Sequence, residues 1–162
     1  MKIQDLMCRD VVVCQPTDSM KAAAERMWKA DVGCLPVLDA EGTLMGMVTD
    51  RDLLMSAAIQ GLPLDQLQVD SAMAHRVQAL HPGDKVERAL ELMGVHQVRR
   101  LPVVDDQGVV VGLVSVNDLA RRSDRDDHPR RDDLVHAIAQ VCEPRPRAQA
   151  CVGPQGQLAA SG

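Results

Sequence analysis

The chain has 162 residues, 46% of them hydrophobic, with no Phe, no Tyr, a single Trp and a formal net charge of −5. That length allows one domain or two small fused ones, and the core must be built from Val, Leu, Ala and Met, so a flat ligand would be gripped by aliphatic side chains. The acidic balance argues against nucleic acid as the main partner, because neutralising phosphates needs clustered Lys and Arg.

Five cysteines (8, 14, 34, 142 and 151) form no Cys-x-x-Cys pair, which disfavours both a zinc site and a secreted disulfide framework. The five histidines have no metal-ligand spacing with acids or Cys, so the expectation is no metal. Met1–Asp10 lacks an apolar run of signal-peptide length and nothing later reaches membrane-spanning length, so the sequence reads as a soluble, cytoplasmic protein with no membrane partner.

In chain order, Val11–Cys14 reads as a short strand ended by Pro16. Thr17–Ser19 supply N-cap chemistry for a helix over Met20–Ala30, with Met20, Ala23, Ala24 and Met27 on one face. Leu35–Leu38 is a buried strand, Asp39–Gly42 a hairpin turn and Leu44–Val48 the return strand. A second helix over Asp50–Ile59 is ended by Gly61 and Pro63.

The chain then repeats itself. Shifted by 66 positions, Ile3–Leu53 aligns without a gap on Val69–Leu119, with 17 identities in 51 positions, among them Met7/Met73, Pro16/Pro82, Pro36/Pro102, Gly46/Gly112 and Asp52/Asp118. This is an internal duplication. Its second copy predicts Val77–Leu80, Lys85–His96, Leu101–Val104, Val109–Val114 and Asn117–Arg122 as strand, helix, strand, strand and helix. Each β-α-β-β-α unit implies a three-stranded sheet covered on one face. A unit of about 50 residues buries too little to be secure alone, so the fold class is α/β (α+β), with the two units packed by a pseudo-twofold axis.

The expected boundaries are 1–60 for repeat 1, 61–68 for a connector, 69–122 for repeat 2, 123–133 for a charged linker, 134–143 for a short helix and 144–162 for a disordered tail. Arg121–Asp133 carries five Arg and five Asp whose signs cancel, which reads as solvated linker. The short helix, with Leu134, Ile138 and Val141 in line, either docks on its own module or serves a partner.

In each repeat a β-branched run ends at a hydroxyl residue, Thr49 or Ser115, with an acid three residues on, Asp52 or Asp118. Two readings stand side by side. One is a capping box, in which the hydroxyl caps the helix and the acid reaches back to the cap's N–H. The other is an anion site, because a helix start offers unpaired N–H groups and a positive dipole end.

The paired stretches Val-Gly-Cys-Leu-Pro-Val-Leu-Asp … Gly-Met-Val-Thr-Asp-Arg-Asp-Leu and Val-Arg-Arg-Leu-Pro-Val-Val-Asp … Gly-Leu-Val-Ser-Val-Asn-Asp-Leu resemble the CBS (cystathionine-β-synthase) domain family, and the two together resemble a Bateman module. The resemblance implies clefts for adenosine-containing ligands, AMP, ADP or ATP and sometimes S-adenosylmethionine, that control a partner enzyme, channel or transporter. It implies that Thr49 and Ser115 contact phosphate or ribose oxygens and that Asp52 and Asp118 hold ribose hydroxyls. Backbone near Val11–Val13 and Val77–Ala79, with Cys34, Pro36 and Pro102, would border the adenine. It also implies crossed clefts, each Thr/Ser–Asp motif facing the Leu-Pro strand of the other repeat.

Before Leu-Pro, repeat 1 has Gly33-Cys34 where repeat 2 has Arg99-Arg100. A guanidinium grips phosphate with a two-pronged fork, so the Thr49/Asp52 cleft with Arg99 or Arg100 is expected to be the stronger phosphate site. The expectation is therefore a stand-alone regulatory pair, homodimeric, sensing energy or stress through an adenine nucleotide, with no tightly bound cofactor and no catalytic set. The alternatives are a ligand-free structural or interaction module, an S-adenosylmethionine sensor and a thiol-based redox sensor.

Overall fold

The computed structural model describes residues 1–126 and 129–144. Helix α1 (Met20–Ala30) starts where the Ser19 hydroxyl accepts from the Ala22 N–H at 3.1 Å, and it buries Met20, Ala23 and Met27 on one face. It ends at Asp31 in the left-handed region (φ 53), and its counterpart α3 (Val86–His96) ends in the same way at Gln97 (φ 51).

Strands β1 (Cys34–Leu38) and β2 (Leu44–Thr49) form an antiparallel hairpin that leads directly into α2 (Asp50–Gln60). Strands β3 (Arg100–Val104) and β4 (Val110–Ser115) lead into α4 (Val116–Asp126) in the same register, with an irregularity at the same place, Val37/Leu38 and Val103/Val104. Each turn is tied by an aspartate: Asp39 Oδ1 accepts from the Glu41 and Thr43 N–H groups, and Asp105 Oδ1 from those of Gln107 and Val109.

The leading strands expected over Val11–Cys14 and Val77–Leu80 contract to one residue each. Cys14 makes a single parallel bridge to Val37, donating to the Pro36 carbonyl (3.1 Å) and accepting from Leu38 (2.9 Å); Leu80 repeats this with Pro102 and Val104. Pairing stops there because a proline without an N–H stands two residues on. The chain then turns, with Asp18 accepting from Gln15 and Asp84 from His81. Each sheet is thus a hairpin with one bridged residue of its own repeat beside its first strand.

The two repeats exchange their lead segments. The 3₁₀ turn Ile3–Asp5 opens repeat 1, yet Ile3 and Met7 are buried with Leu80, Val86, Met93 and Leu119 of repeat 2. The turn Val69–Ser71 opens repeat 2, yet Val69 and Met73 are buried with Met20, Leu35, Val48 and Leu53 of repeat 1. The hydrogen bonds repeat with the 66-residue shift. Ile3 donates to Asp84 and Val69 to Asp18; Cys8 exchanges two bonds with Leu113, and Ala74 two with Met47. These reciprocal pairs define the pseudo-twofold axis. They also explain two glycines: a Cβ on Gly46 would lie 2.7 Å from the Ala74 carbonyl oxygen, and one on Gly112 3.1 Å from that of Cys8.

The charged stretch 123–133 is not a linker throughout. Helix α4 runs on to Asp126, and α5 (Arg131–Cys142) begins before the last two aspartates. Tertiary packing overrides the polar composition here: Ser123 is 2% exposed, and α5 lies on α3 and α4 with Leu134 and Ala137 buried and Ile138 and Val141 packed beside them. Of the two expectations for this helix, docking on its own module is the one observed. Gln97 Nε2 donates to the carbonyls of Gln140 (3.3 Å) and Glu143 (3.0 Å), fixing the end of α5. The tail beyond residue 144, expected to be disordered, and Cys151 lie outside the described residues.

Among the described residues, no such helix covers the matching face of repeat 1. Between α1 and α2 lies an open groove of about 410 Å³ lined by Met27, Trp28, Val32, Leu53, Leu54 and Leu64. Trp28 is 88% exposed at its edge, with Leu54 and Ile59 also exposed.

Candidate functional site

Thr49 ends β2 and caps α2. Its N–H (2.9 Å) and hydroxyl (2.6 Å) both donate to Asp52 Oδ2, while its Oγ1 accepts from the Asp52 N–H (3.2 Å). Ser115 and Asp118 at the start of α4 reproduce the three bonds at 2.9, 2.6 and 3.2 Å. The capping box is therefore the geometry present in both repeats. Each box uses one carboxylate oxygen, Oδ2, and leaves Oδ1 outside it. In repeat 1, Asp52 Oδ1 has no hydrogen-bond or ion-pair partner among the described residues. In repeat 2, Asp118 Oδ1 is taken by the Arg121 guanidinium.

Arg99 is exposed and Arg100 half-buried, side by side at the start of β3. The Arg100 side chain reaches the thiol of Cys34, its pseudo-symmetry mate, and Cys34 pairs with Thr49 across the first hairpin. Burial pushes the Cys34 thiol up; Arg100 opposes that shift and Asp50 adds to it. Gly33 belongs to the same corner: the Asp50 N–H donates to its carbonyl (3.2 Å), and a Cβ on it would stand 3.2 Å from Asp50 Oδ2. The structure thus brings Arg100, Cys34, Asp50 and Thr49 into one neighbourhood at the junction of the repeats.

One cavity beside Asp118 is lined from repeat 1 by the lead turn, Asp5 and Leu6, while Cys34 lies against Arg100, the strand partner of Ser115. That cavity, of about 220 Å³, is completed by Arg121, Arg122 and Arg125 of α4. Those arginines are what the sequence reading missed, because cancelling charges suggested a linker. The usable signal was the spacing 118, 121, 122 and 125, which is one face of a helix.

The segments expected to border an adenine are half-buried at Val11, Val13, Val77 and Ala79. Pro36 and Pro102 are buried within their hairpins, and their carbonyls already serve Cys14 and Leu80. The Val13 carbonyl accepts from Arg26 (3.2 Å), which also pairs with Asp18. Burial works to raise the Asp18 carboxyl, but the Gln15 N–H and the Arg26 guanidinium outweigh it and hold Asp18 below its ordinary value. Leu92 stands where repeat 1 has Arg26, so repeat 2 lacks this clamp.

Cys8 and Cys142 are exposed thiols, and Cys14 and Cys34 buried ones. Burial, with Asp18 adding and Arg26 opposing, pushes Cys14 up to about 12. Among the described residues no three His, Cys, Asp or Glu side chains are placed to hold a metal, and no helix is long and apolar enough to cross a membrane.

Two hairpin-and-helix units that share their lead segments across a pseudo-twofold axis, each with a hydroxyl–acid pair at a helix start, make a tandem-repeat pair. The CBS-domain family model matches residues 3–58 and 69–125, and the chain belongs to that family as a CBS pair. A CBS domain-containing protein of Bacillus subtilis, YhcV, is 37% identical over 118 residues, covering 73% of this chain and 82% of that one. The CBS domain pair of protein MJ0100, in complex with 5′-methylthioadenosine and S-adenosyl-L-methionine, superposes with a TM-score of 0.67 at 26% identity, covering 75% of this chain and 94% of that one. Hypoxic Response Protein I, described with two coordinated zinc ions, superposes with a TM-score of 0.69 at 29% identity, covering 75% and 98%.

Proposed function

We propose that this CBS pair is a non-catalytic regulatory module that binds an adenosine-containing ligand of the AMP, ADP or ATP class. It would signal through a change in the relative orientation of its repeats. The observation that carries the reading is the corner formed by Thr49, Asp52 and Arg100. A helix start there offers N–H groups to a phosphate, and Asp52 Oδ1 is available to accept from a ribose diol. A guanidinium from the other repeat lies against Cys34, the strand partner of Thr49. A phosphate held between Arg100 and the start of α2 would bridge the repeats, and bridging is what couples binding to orientation. In this reading Val11, Val13, Val77 and Ala79 border the base, and Ser115 and Asp118 form the second cleft.

A second reading has a specific observation behind it. The MJ0100 pair holds S-adenosylmethionine and methylthioadenosine, whose 5′ substituents carry no phosphate. An S-adenosylmethionine sensor would use the Asp52 carboxylate for the ribose and offer Arg100 the methionyl carboxylate in place of a phosphate, so the choice of ligand and not the Arg100 variant separates the two readings.

Thermal unfolding of the full chain with AMP, ADP, ATP and S-adenosylmethionine separates these readings. A ligand at one hundred times its dissociation constant adds about 2.7 kcal/mol, a shift of several degrees. The expected result is a nucleotide-dependent shift that Asp52→Ala removes and Arg100→Ala weakens far more than Arg51→Ala. The shift on adding ligand is the quantity to compare, because Asp52→Ala also breaks the capping box and so lowers stability by itself. Equal effects at Arg100 and Arg51 would remove the phosphate corner. No shift with any of these ligands would leave a ligand-free interaction module.

A further inference from the structure

Repeat 1 keeps the apolar floor of the α5 seat but not its rim. Met27, Val32 and Leu53 line the open groove, where repeat 2 has Met93, Val98 and Leu119 packed with α5. Trp28 holds the place of Gly94, which leaves the space that Gln140 of α5 fills. Asp31 holds the place of Gln97, whose amide fixes the end of α5, and Asp50 that of Val116. An indole at the first position leaves no room for a helix seated as α5 is, and the two carboxylates favour a cation. The exposed Trp28 and Leu54 at an apolar groove mark a surface that something covers.

Asp31 and Asp50 are the only charged side chains lining the groove among the described residues, and neither has an ion-pair partner there. Lys29 and Arg51 adjoin them in sequence without lining the groove, and Arg99 and Arg100 act with Asp50 on Cys34 behind it. Beyond α5 the chain reads Pro144-Arg145-Pro146-Arg147, and residues 145–162 carry those two arginines and no acid. The start of that segment is tied to the groove by short links. Gln97 holds the Glu143 carbonyl; three residues on, Arg100 reaches Cys34; three residues before Cys34 stands Asp31. With every link at full stretch this route is about 45 Å, which about 13 residues of extended chain cover. The left-handed turns at Asp31 and Gln97 shorten it.

We propose that the segment 145–162 docks in this groove of its own molecule, with Arg145 and Arg147 answering Asp31 and Asp50 beside the Trp28 ring. A guanidinium can stack on an indole while it pairs with a carboxylate. Prolines on both sides of Arg145 fix their own φ, which reduces the freedom lost on docking. In this arrangement the segment covers repeat 1 as α5 covers repeat 2. The rival occupant is a second copy of the chain, whose α1 and α2 would meet the same indole, so segment and copy exclude each other on that face. The inference does not depend on what the pair binds.

Trp28 is the single Trp of the chain, so its fluorescence reads this groove alone. Acrylamide quenching of the full chain is expected to be severalfold weaker than that of the chain unfolded in denaturant, and unchanged on dilution. Arg145→Ala combined with Arg147→Ala should return quenching towards the unfolded value and shift the emission to the red. Asp31→Asn should do so in part, because Asn tolerates the left-handed backbone there and only the charge is lost. Arg88→Ala, which removes the partner of Glu91 on α3, should change nothing. Free quenching in the wild-type chain, or shielding that survives loss of both arginines, would overturn the proposal. An equal loss in Arg88→Ala would overturn it by showing only diffuse charge attraction. Shielding that fades on dilution would overturn it by assigning the groove to a second copy.

Discussion

Single residues set how closely the repeats approach. Gly46 and Gly112 hold equivalent places, but what an added methyl group would meet differs. At Gly46 it is the backbone oxygen of Ala74 at 2.7 Å; at Gly112 the nearest atoms belong to the flexible Met7 side chain, with backbone at 3.1 Å. Overpacking of this kind costs about 1–3 kcal/mol. Gly46→Ala is expected near the top of that range and Gly112→Ala near the bottom, measured as denaturation midpoints at unchanged slope. Equal losses would mean that the lead segments adjust as readily on the backbone as on a side chain. Both glycines were visible in the sequence as aligned identities, but their reason was not, because the partner of each lies in the other repeat's lead segment.

At the scale of elements, the readings that rested on local pattern agree closely with the structure. Helix α1 runs over Met20–Ala30 as its buried stripe predicts, and the Asp-x-x-Gly turns tie both hairpins. What failed had one local cause and one distant one. The leading strands shrank because Pro16 and Pro82 follow too soon, and the Arg/Asp stretch became helix because α3 and α4 offer α5 a seat. The candidate site divides in the same way: Thr49/Asp52 and Ser115/Asp118 were legible as spacing, whereas the Arg121 cluster waited on knowing that α4 continues.

The seat of α5 is specific. Gly94 leaves space that Gln140 fills, and Gln97 caps the helix end. Gly94→Ala should therefore expose α5 amides to hydrogen exchange while those of α1 stay protected. Gln97→Gly should do the same despite relieving a left-handed residue, since it removes two hydrogen bonds. If α5 protection survives both changes, its apolar contacts through Leu134 and Ala137 are sufficient alone.

At the scale of the whole molecule, α5 makes a nearly symmetric pair asymmetric. It covers the helical face of repeat 2, while among the described residues that of repeat 1, with Trp28, Leu54 and Ile59, stays open. If the pair forms the homodimer that its family resemblance implies, the contact belongs on α1 and α2. Sedimentation should then show a dimer that Leu54→Asp with Ile59→Asp converts to a monomer, and that Val95→Asp with Val135→Asp, exposed on the α3 and α5 side, leaves intact. A wild-type monomer at micromolar concentration would reject the dimer outright.

The exchanged lead segments also govern when each core can close as the chain is made. A ribosome that has released residues 1–68 has delivered every helix and strand of repeat 1, yet not Val69 or Met73, which finish its core. At that moment Ile3 and Met7, made first, have no place to bury, because their seat among Leu80, Met93 and Leu119 does not yet exist. Repeat 1 must therefore wait, incomplete and with apolar side chains uncovered, until the next segment emerges. Such waiting states are where chains aggregate or recruit chaperones. Duplication supplied this protein with two units, and the exchange keeps the first from closing until Val69 and Met73, at the start of the second, have been made.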